Sequence, residues 1–218
     1  PEVARLPLHA RHRLLEGEGL LSHAKDYTSL ISAIGKRQGW GEAIACWDIM
    51  RSRGLSANVM TFSALISACA NGSQPSVALL LLREMRVGCV EPNVVSYSSA
   101  ITACEKGHWW EQALEVLELM HVGKSEPTTV TYSAAISACA QGTQWVLATR
   151  FLGEMSTRRL APNVITFNSA LSACERGEQW RIAVAIIDED MPRAHVPPDV
   201  VTFNTTVSAC AKSQHWAE

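Results

Sequence analysis

Apolar positions in this chain recur with the period of a helix, interrupted at fixed places by glycine and proline. Between residues 129 and 163, Tyr132, Ala135, Ile136 and Cys139 stand at i, i+3, i+4 and i+7, which is one face of an α-helix. Gly142 follows where a glycine can end a helix, and the spacing predicts a C-terminal residue in the left-handed conformation there. Trp145, Ala148, Leu152 and Met155 then fall at spacings of three and four, so a second helix is expected from about Trp145 to Arg158. Pro162 stops it and Asn163 is a good N-cap for whatever comes next. The segment reads as a helical hairpin.

The hairpin is repeated. Cys69, Cys104, Cys139 and Cys174 are each 35 residues apart and Cys210 follows after 36; Trp110, Trp145, Trp180 and Trp216 keep the same steps. Trp40 joins the tryptophan column two periods upstream, with Pro75 in the place between. Tyr27, Phe62, Tyr97, Tyr132, Phe167 and Phe203 form a second column, and Met50, Met85, Met120 and Met155 a third. Gly72, Gly107 and Gly177 match Gly142. These columns divide the chain into units 24–58, 59–93, 94–128, 129–163 and 164–199 and a truncated unit 200–218. The fifth is one residue longer, with the extra residue near Asp190-Met191. Residues 1–23 read as a degenerate partial unit, with Leu15 in the methionine place and Gly19 near the glycine. A chain that opens on Pro1 and stops inside a unit is expected to be a piece of a longer array. A hairpin of this length cannot bury two amphipathic helices alone, so its neighbours must stack on it, which predicts an all-α solenoid forming one domain.

The residues that carry the period resemble the pentatricopeptide repeat family, whose units open with an apolar-Thr-Tyr-Asn turn and close on Pro-Asp. Val200-Val201-Thr202-Phe203-Asn204 after Pro198-Asp199 is similar to that pattern, as is Val94-Val95-Ser96-Tyr97-Ser98 after Pro92-Asn93. The likeness extends over residues 24–218. It implies a right-handed α-solenoid that binds single-stranded RNA with about one base per repeat. By this resemblance the fifth and last residues of each unit read the base edge: Thr28 with Asn58, Ser63 with Asn93, Ser98 with Thr128, Ser133 with Asn163, and Asn168 with Asp199, with Asn204 as the fifth residue of the truncated unit. The family's pairing rule implies A-A-x-A-U from the 5′ end, x being the Ser98/Thr128 unit, whose Thr departs from the usual Asn or Asp. The second residues Met60, Val95, Val130, Ile165 and Val201 would sandwich the bases, a set that Lys25 breaks in the first unit. Lys36, Lys106, Arg176 and Lys212 would contact phosphates, with Asn71 and Gln141 in the two remaining units. The resemblance further implies a role in organellar RNA processing, stability or translation, in a mitochondrion or chloroplast, and allows other proteins as partners through flanking regions.

The same polar residues have a local explanation. Asn58, Asn93, Asn163 and Asp199 are all suitable N-caps, and Ser or Thr is common early in helices. A protein-interaction scaffold using the solenoid groove is therefore the alternative function, although a peptide groove gives no reason to fill the fifth and last places with Ser, Thr, Asn and Asp.

Composition adjusts this picture. With 19 Lys+Arg against 21 Asp+Glu the formal net charge is −2, which argues against gripping a polyanion by bulk charge. Dividing the charge by helix places Lys36, Arg37, Lys106, Arg176 and Lys212 against Asp26, Glu105 and Glu175 on first helices. Most other acids, including Glu42, Glu84, Glu111, Glu115, Glu118, Glu154 and Glu189, fall on second helices. The periodic cysteines are expected to be core residues rather than disulfides or metal ligands; Cys46 and Cys89 complete no C-x-x-C pair. The tryptophan column is expected to pack between units. His9 and His12 lack an acidic or cysteine partner nearby, and Gly17-x-Gly19 lacks the strand and third glycine of a phosphate loop. No catalytic arrangement recurs, so no enzyme activity and no cofactor are expected. Apolar runs such as Val77–Leu82 are far shorter than the roughly 18–20 residues a membrane helix needs.

Overall fold

The computed structural model describes residues 23–213. All but His23 of the degenerate unit, including Leu15, Gly19 and the His9/His12 and Gly17 motifs, lies outside the described residues, as does Trp216. The molecule divides into two compact units, one ending at Ala103 and the other beginning at Cys104. The first holds α1 (Ala24–Gly35), α2 (Trp40–Ser52), α3 (Val59–Asn71) and α4 (Pro75–Val87); α5 (Val94–Lys106) runs through the division. The second holds α6 (Trp110–Val122), α7 (Thr129–Gln141), α8 (Trp145–Thr157), α9 (Val164–Arg176), α10 and α11 (Val200–Lys212). Helix α10 comprises Trp180–Ala185, a π-helical turn Ile186–Asp190 and a last turn Met191–Arg193. Within each unit a first helix packs on its own second helix and on the next first helix, as α1 does on α2 and α3, and α7 on α8 and α9. This is the α-solenoid architecture of stacked hairpins.

The helices start where their caps dictate. Asn58 Oδ1 accepts from the Thr61 backbone N–H at 3.0 Å, and the Asn58 N–H donates to Thr61 Oγ1 at 3.5 Å. This reciprocal capping box recurs at Asn163/Thr166 and Asp199/Thr202. Each cap contributes about 1 kcal/mol. The cores are built from the columns the period predicts: Tyr132, Ala135, Ile136 and Cys139 of α7 are fully buried, with Ala148 and Met155 of α8. Phe203 departs from its column, being 54% exposed; the second half of its own repeat lies outside the described residues.

The additional residue of the fifth repeat takes the form of the π turn. Met191 follows Met155 by 36 residues yet is as buried as Met50, Met85, Met120 and Met155. A π turn takes in one extra residue, so Ile186–Asp190 absorbs the insertion before the methionine returns to the core.

The glycine column serves a different purpose from the one its position suggests. Gly72, Gly142 and Gly177 have φ of −88°, −83° and −87°, none of them left-handed. The left-handed residue is the next one, Ser73, Thr143 or Glu178, with φ between 53° and 57°. Around Thr143 the bonds are those of a Schellman cap, with Gln144 N–H reaching the Cys139 carbonyl at 2.9 Å. Glycine is required one place earlier because the preceding repeat's tryptophan lies against it. A Cβ on Gly142 would sit 2.5 Å from Cγ of Trp110, and Gly72 and Gly177 meet Trp40 and Trp145 as closely. The tryptophan column packs between repeats, and the glycine makes room for it.

Cys69, Cys104, Cys139 and Cys174 are fully buried and free, as is Cys46. Burial pushes the thiols of Cys46 and Cys139 up to about 12 and those of Cys69 and Cys174 up to about 11. Cys104 reaches about 12 through burial with a smaller contribution from Glu115. They are core residues with suppressed thiolate chemistry.

Candidate nucleic-acid interface

The start of each first helix carries three chemically distinct places, its second, third and fifth residues. Its second residue is apolar and held in water: Met60 and Val95 in the first unit are 64% and 53% exposed, and Val130, Ile165 and Val201 in the second 64%, 66% and 55%. Exposure of one large aliphatic group is ordinary, but its recurrence at one helical place leaves unmet apolar surface in register. Lys25 holds this place in α1 and is also exposed.

From α3 onward the third residue is a hydroxyl with no exposed surface, whereas α1 has Asp26 there. Thr61, Ser96, Thr131, Thr166 and Thr202 are each 0% exposed. Such a group must be hydrogen-bonded, and at Thr61, Ser96, Thr166 and Thr202 it links the cap before it to the fifth residue of the previous repeat. Thr61 Oγ1 lies 3.1 Å from Asn58 Oδ1 and 2.8 Å from Thr28 Oγ1. Ser96 Oγ is 3.0 Å from Asn93 Oδ1 and 2.9 Å from Ser63 Oγ, and Ser63 also donates directly to Asn93 at 3.2 Å. Thr166 Oγ1 is 3.0 Å from Asn163 Oδ1 and 2.7 Å from Ser133 Oγ.

At the fifth repeat's pair, Thr202 of the following unit donates to Asn168 Oδ1 at 2.7 Å or to Asp199 Oδ1 at 2.8 Å, while Asn168 Nδ2 donates to Asp199 at 3.2 Å. The Thr202 backbone N–H and hydroxyl, with Asn168 adding to them, hold the Asp199 carboxyl below the usual carboxylate range. Four fifth/last pairs are thus brought together although 30 or 31 residues separate their members. Of the remaining pair, Ser98 belongs to the first unit and Thr128 to the second, where Thr128 Oγ1 caps α7 by accepting from Thr131 N–H at 3.4 Å. Asn204 is exposed on α11.

The cap role is therefore real, and it does not use up the residues. In Asn58, Asn93 and Asn163 the cap engages Oδ1, and the amide carries a separate Nδ2 donor. The basic register lies at the other end of the same helices. Lys36, Lys106, Arg176 and Lys212 are all exposed. Asn71 Nδ2 instead donates to the Gly35 carbonyl at 3.1 Å, and Gln141 Oε1 is a buried acceptor with no partner. Lys212 Nζ is engaged by Glu175 Oε1 at 3.0 Å. No group of three or more His, Cys, Asp or Glu side chains suited to a metal occurs among the described residues.

A family model for the Pentatricopeptide repeat domain matches residues 80–142, 135–176 and 150–213. Models for the PPR repeat family and the PPR repeat match 26–71 and 60–89. The chain belongs to the pentatricopeptide repeat family. No curated protein sequence matches it significantly. Among solved structures, the maize pentatricopeptide repeat protein PPR10 is similar at 20% identity and a TM-score of 0.60, over 96% of this chain and 35% of PPR10. PPR10 in complex with an 18-nt psaJ RNA element gives 19% identity and 0.53 over 95% and 35%. The pentatricopeptide domain of Arabidopsis thaliana protein-only RNase P 1, in complex with tRNA, gives 16% identity and 0.62 over 68% of this chain and 78% of that domain. The chain thus spans about a third of PPR10, and at these identities the likeness is one of fold.

Within these pentatricopeptide repeats the buried third-position hydroxyl is the element that sequence spacing does not reveal as part of the site. Its signal is present: a Thr or Ser at this place in units two to six, where a core position would more simply hold an aliphatic residue. A second such element is the alternation of Glu105 and Glu175 with Ala70, Ala140 and Ala211 just before the basic register.

Proposed function

We propose that the chain is a sequence-selective single-stranded RNA-binding module that reads about one base per repeat. The observation that carries this reading is the coupling of fifth and last residues through a buried hydroxyl, next to an exposed apolar side chain. A base edge needs donors and acceptors of fixed orientation, and its faces need apolar or aromatic contact. A fifth-position side chain held by a buried neighbour keeps its orientation before RNA arrives, so a mismatched base leaves a polar group unpaired. The ionised Asp199 beside Asn168 suits a base edge that donates a hydrogen bond, as the imino group of uracil does. By the family pairing rule the preferred stretch is A-A-x-A-U, and by family resemblance the setting is organellar RNA processing, stability or translation, in a mitochondrion or chloroplast.

Five bases at a net of about 1–2 kcal/mol each give about 5–10 kcal/mol, a Kd between roughly millimolar and sub-micromolar. Titration of fluorescein-labelled RNAs tests the reading. An A-A-A-A-U strand should bind more tightly than its scrambles, and Asn168→Thr should move the preference at the last base from uracil toward guanine. Equal affinities for all strands would refute base reading, and absence of any RNA binding alongside capture of peptides would favour the scaffold alternative.

A further inference from the structure

In the second unit the basic register is not electrostatically uniform. Repeats three and five carry Glu105-Lys106 and Glu175-Arg176, whereas repeats four and six carry Ala140-Gln141 and Ala211-Lys212. Each glutamate turns toward the first helix of the following repeat. Glu105 Oε1 accepts from Ser137 at 2.9 Å, and Glu175 Oε1 accepts from Ser208 at 2.6 Å. Each carboxylate is thus held to the residue four places before the basic place of the next repeat, on the same helix face. For Glu105 that place holds the neutral Gln141; for Glu175 it holds Lys212, bound at 3.0 Å. Lys106 and Arg176 have no ion pair among the described residues, and each follows a repeat whose residue in the glutamate place is alanine, Ala70 or Ala140. Effective charge along the register of repeats three to six is thus positive, neutral, positive, neutral.

We infer that this unit grips the RNA backbone at alternate repeats, through Lys106 and Arg176, and that Glu175 withholds Lys212 from the phosphates. This rests on the RNA-binding reading above. Affinity gained from a phosphate contact comes from releasing the counterions condensed on the strand. A lysine already neutralised by a fixed carboxylate gains nothing on exchanging that partner for a phosphate, because the carboxylate is left uncompensated. Ser208 strengthens the hold by fixing the same oxygen. Although burial opposes it, the Ser208 and Lys212 hydrogen bonds and the charges of Lys212 and Arg176 keep the Glu175 carboxyl below the usual range, so the pair persists at neutral pH.

The test is the salt dependence of binding to fluorescein-labelled A-A-A-A-U RNA between 20 and 200 mM KCl, using the whole chain. Each phosphate contact on a single strand contributes a slope of about 0.7 in log K against log salt, or about fivefold over this range. Lys106→Gln and Arg176→Gln should each lower the slope by about 0.7. Glu175→Gln, which keeps an acceptor for Ser208, should raise it by about 0.7 by releasing Lys212. The double variant Glu175→Gln/Lys212→Gln, with the wild-type net charge, should restore the original slope. Glu105→Gln adds the same charge beside Gln141 and should move it by less than half as much. Equal slopes for Glu175→Gln and Glu105→Gln, or no change with Lys106→Gln, would overturn the inference while leaving RNA binding intact. A wild-type chain that binds no single strand would overturn the proposed function and this inference with it.

Discussion

Replacing Gly142 by alanine should destabilise the second unit through one identified contact. The added Cβ would lie 2.5 Å from Cγ, 2.6 Å from Cδ2 and 2.7 Å from Cδ1 of Trp110, so the indole has to move out of the place it fills. Forcing a group into a packed position costs about 1–3 kcal/mol. Against this, alanine is compatible with a φ of −83° and removes about 0.4–1 kcal/mol of unfolded-state entropy. The net expectation is a loss of about 0.5–2 kcal/mol. In a Trp110→Leu background the clash is gone and only the entropic term remains, so Gly142→Ala should become stabilising by about 0.4–1 kcal/mol. Urea unfolding followed by far-UV circular dichroism measures all four corners of the cycle, with stability read from midpoints provided the slope is unchanged. A Gly142→Ala loss that persists undiminished without Trp110 would mean that glycine is needed for its backbone, and would refute the packing account. So would a single variant indistinguishable from the parent.

Gly153→Ala is the complementary case: a Cβ there meets nothing within 4 Å, so the helix-interior preference alone should stabilise by about 0.8–1 kcal/mol in the same assay. Thr166→Val keeps the shape of a fully buried side chain but removes the hydroxyl shared by Asn163 and Ser133. It should cost about 1–3 kcal/mol and weaken base preference at the Ser133/Asn163 repeat; unchanged stability and preference would remove the hydroxyl from the site. Thiol titration with an aromatic disulfide reagent at pH 8 should label exposed Cys89 quickly, half-buried Cys210 more slowly, and the five buried cysteines only after denaturation. Because the folded-state thiol values are raised to about 11–12, the buried thiols favour folding fully below the ordinary thiol range. That stability should be lost as pH rises from about 9 toward 12. Urea midpoints flat between pH 9 and 11 would contradict it.

The helical hairpin and its stacking were readable because they depend on near neighbours and on a period. Tyr132, Ala135, Ile136 and Cys139 announce a buried face by their spacing alone, and Met50, Met85, Met120 and Met155 repeat it often enough to fix the hairpin. The pairing of fifth and last residues came from family likeness and not from spacing, since Ser63 and Asn93 meet only after two helices have stacked. The role of the glycine is hidden from local sequence for the same reason. A glycine after a helix suggests a left-handed cap, and nothing local tells that Trp110, 32 residues earlier, will lie against it while Thr143 takes the unfavourable φ of 57°.

That exchange carries a cost. A β-branched residue in the left-handed region gives up about 1–2 kcal/mol, and it is held there by the Schellman bonds that close α7. Thr143→Gly should therefore stabilise by up to about 1 kcal/mol once the greater unfolded-state freedom of glycine is subtracted, measured by the same urea midpoints. If Thr143→Gly instead destabilises while Gly142→Ala is neutral, the two adjacent positions would have opposite roles from those assigned, and the tryptophan would not be what selects glycine in this column.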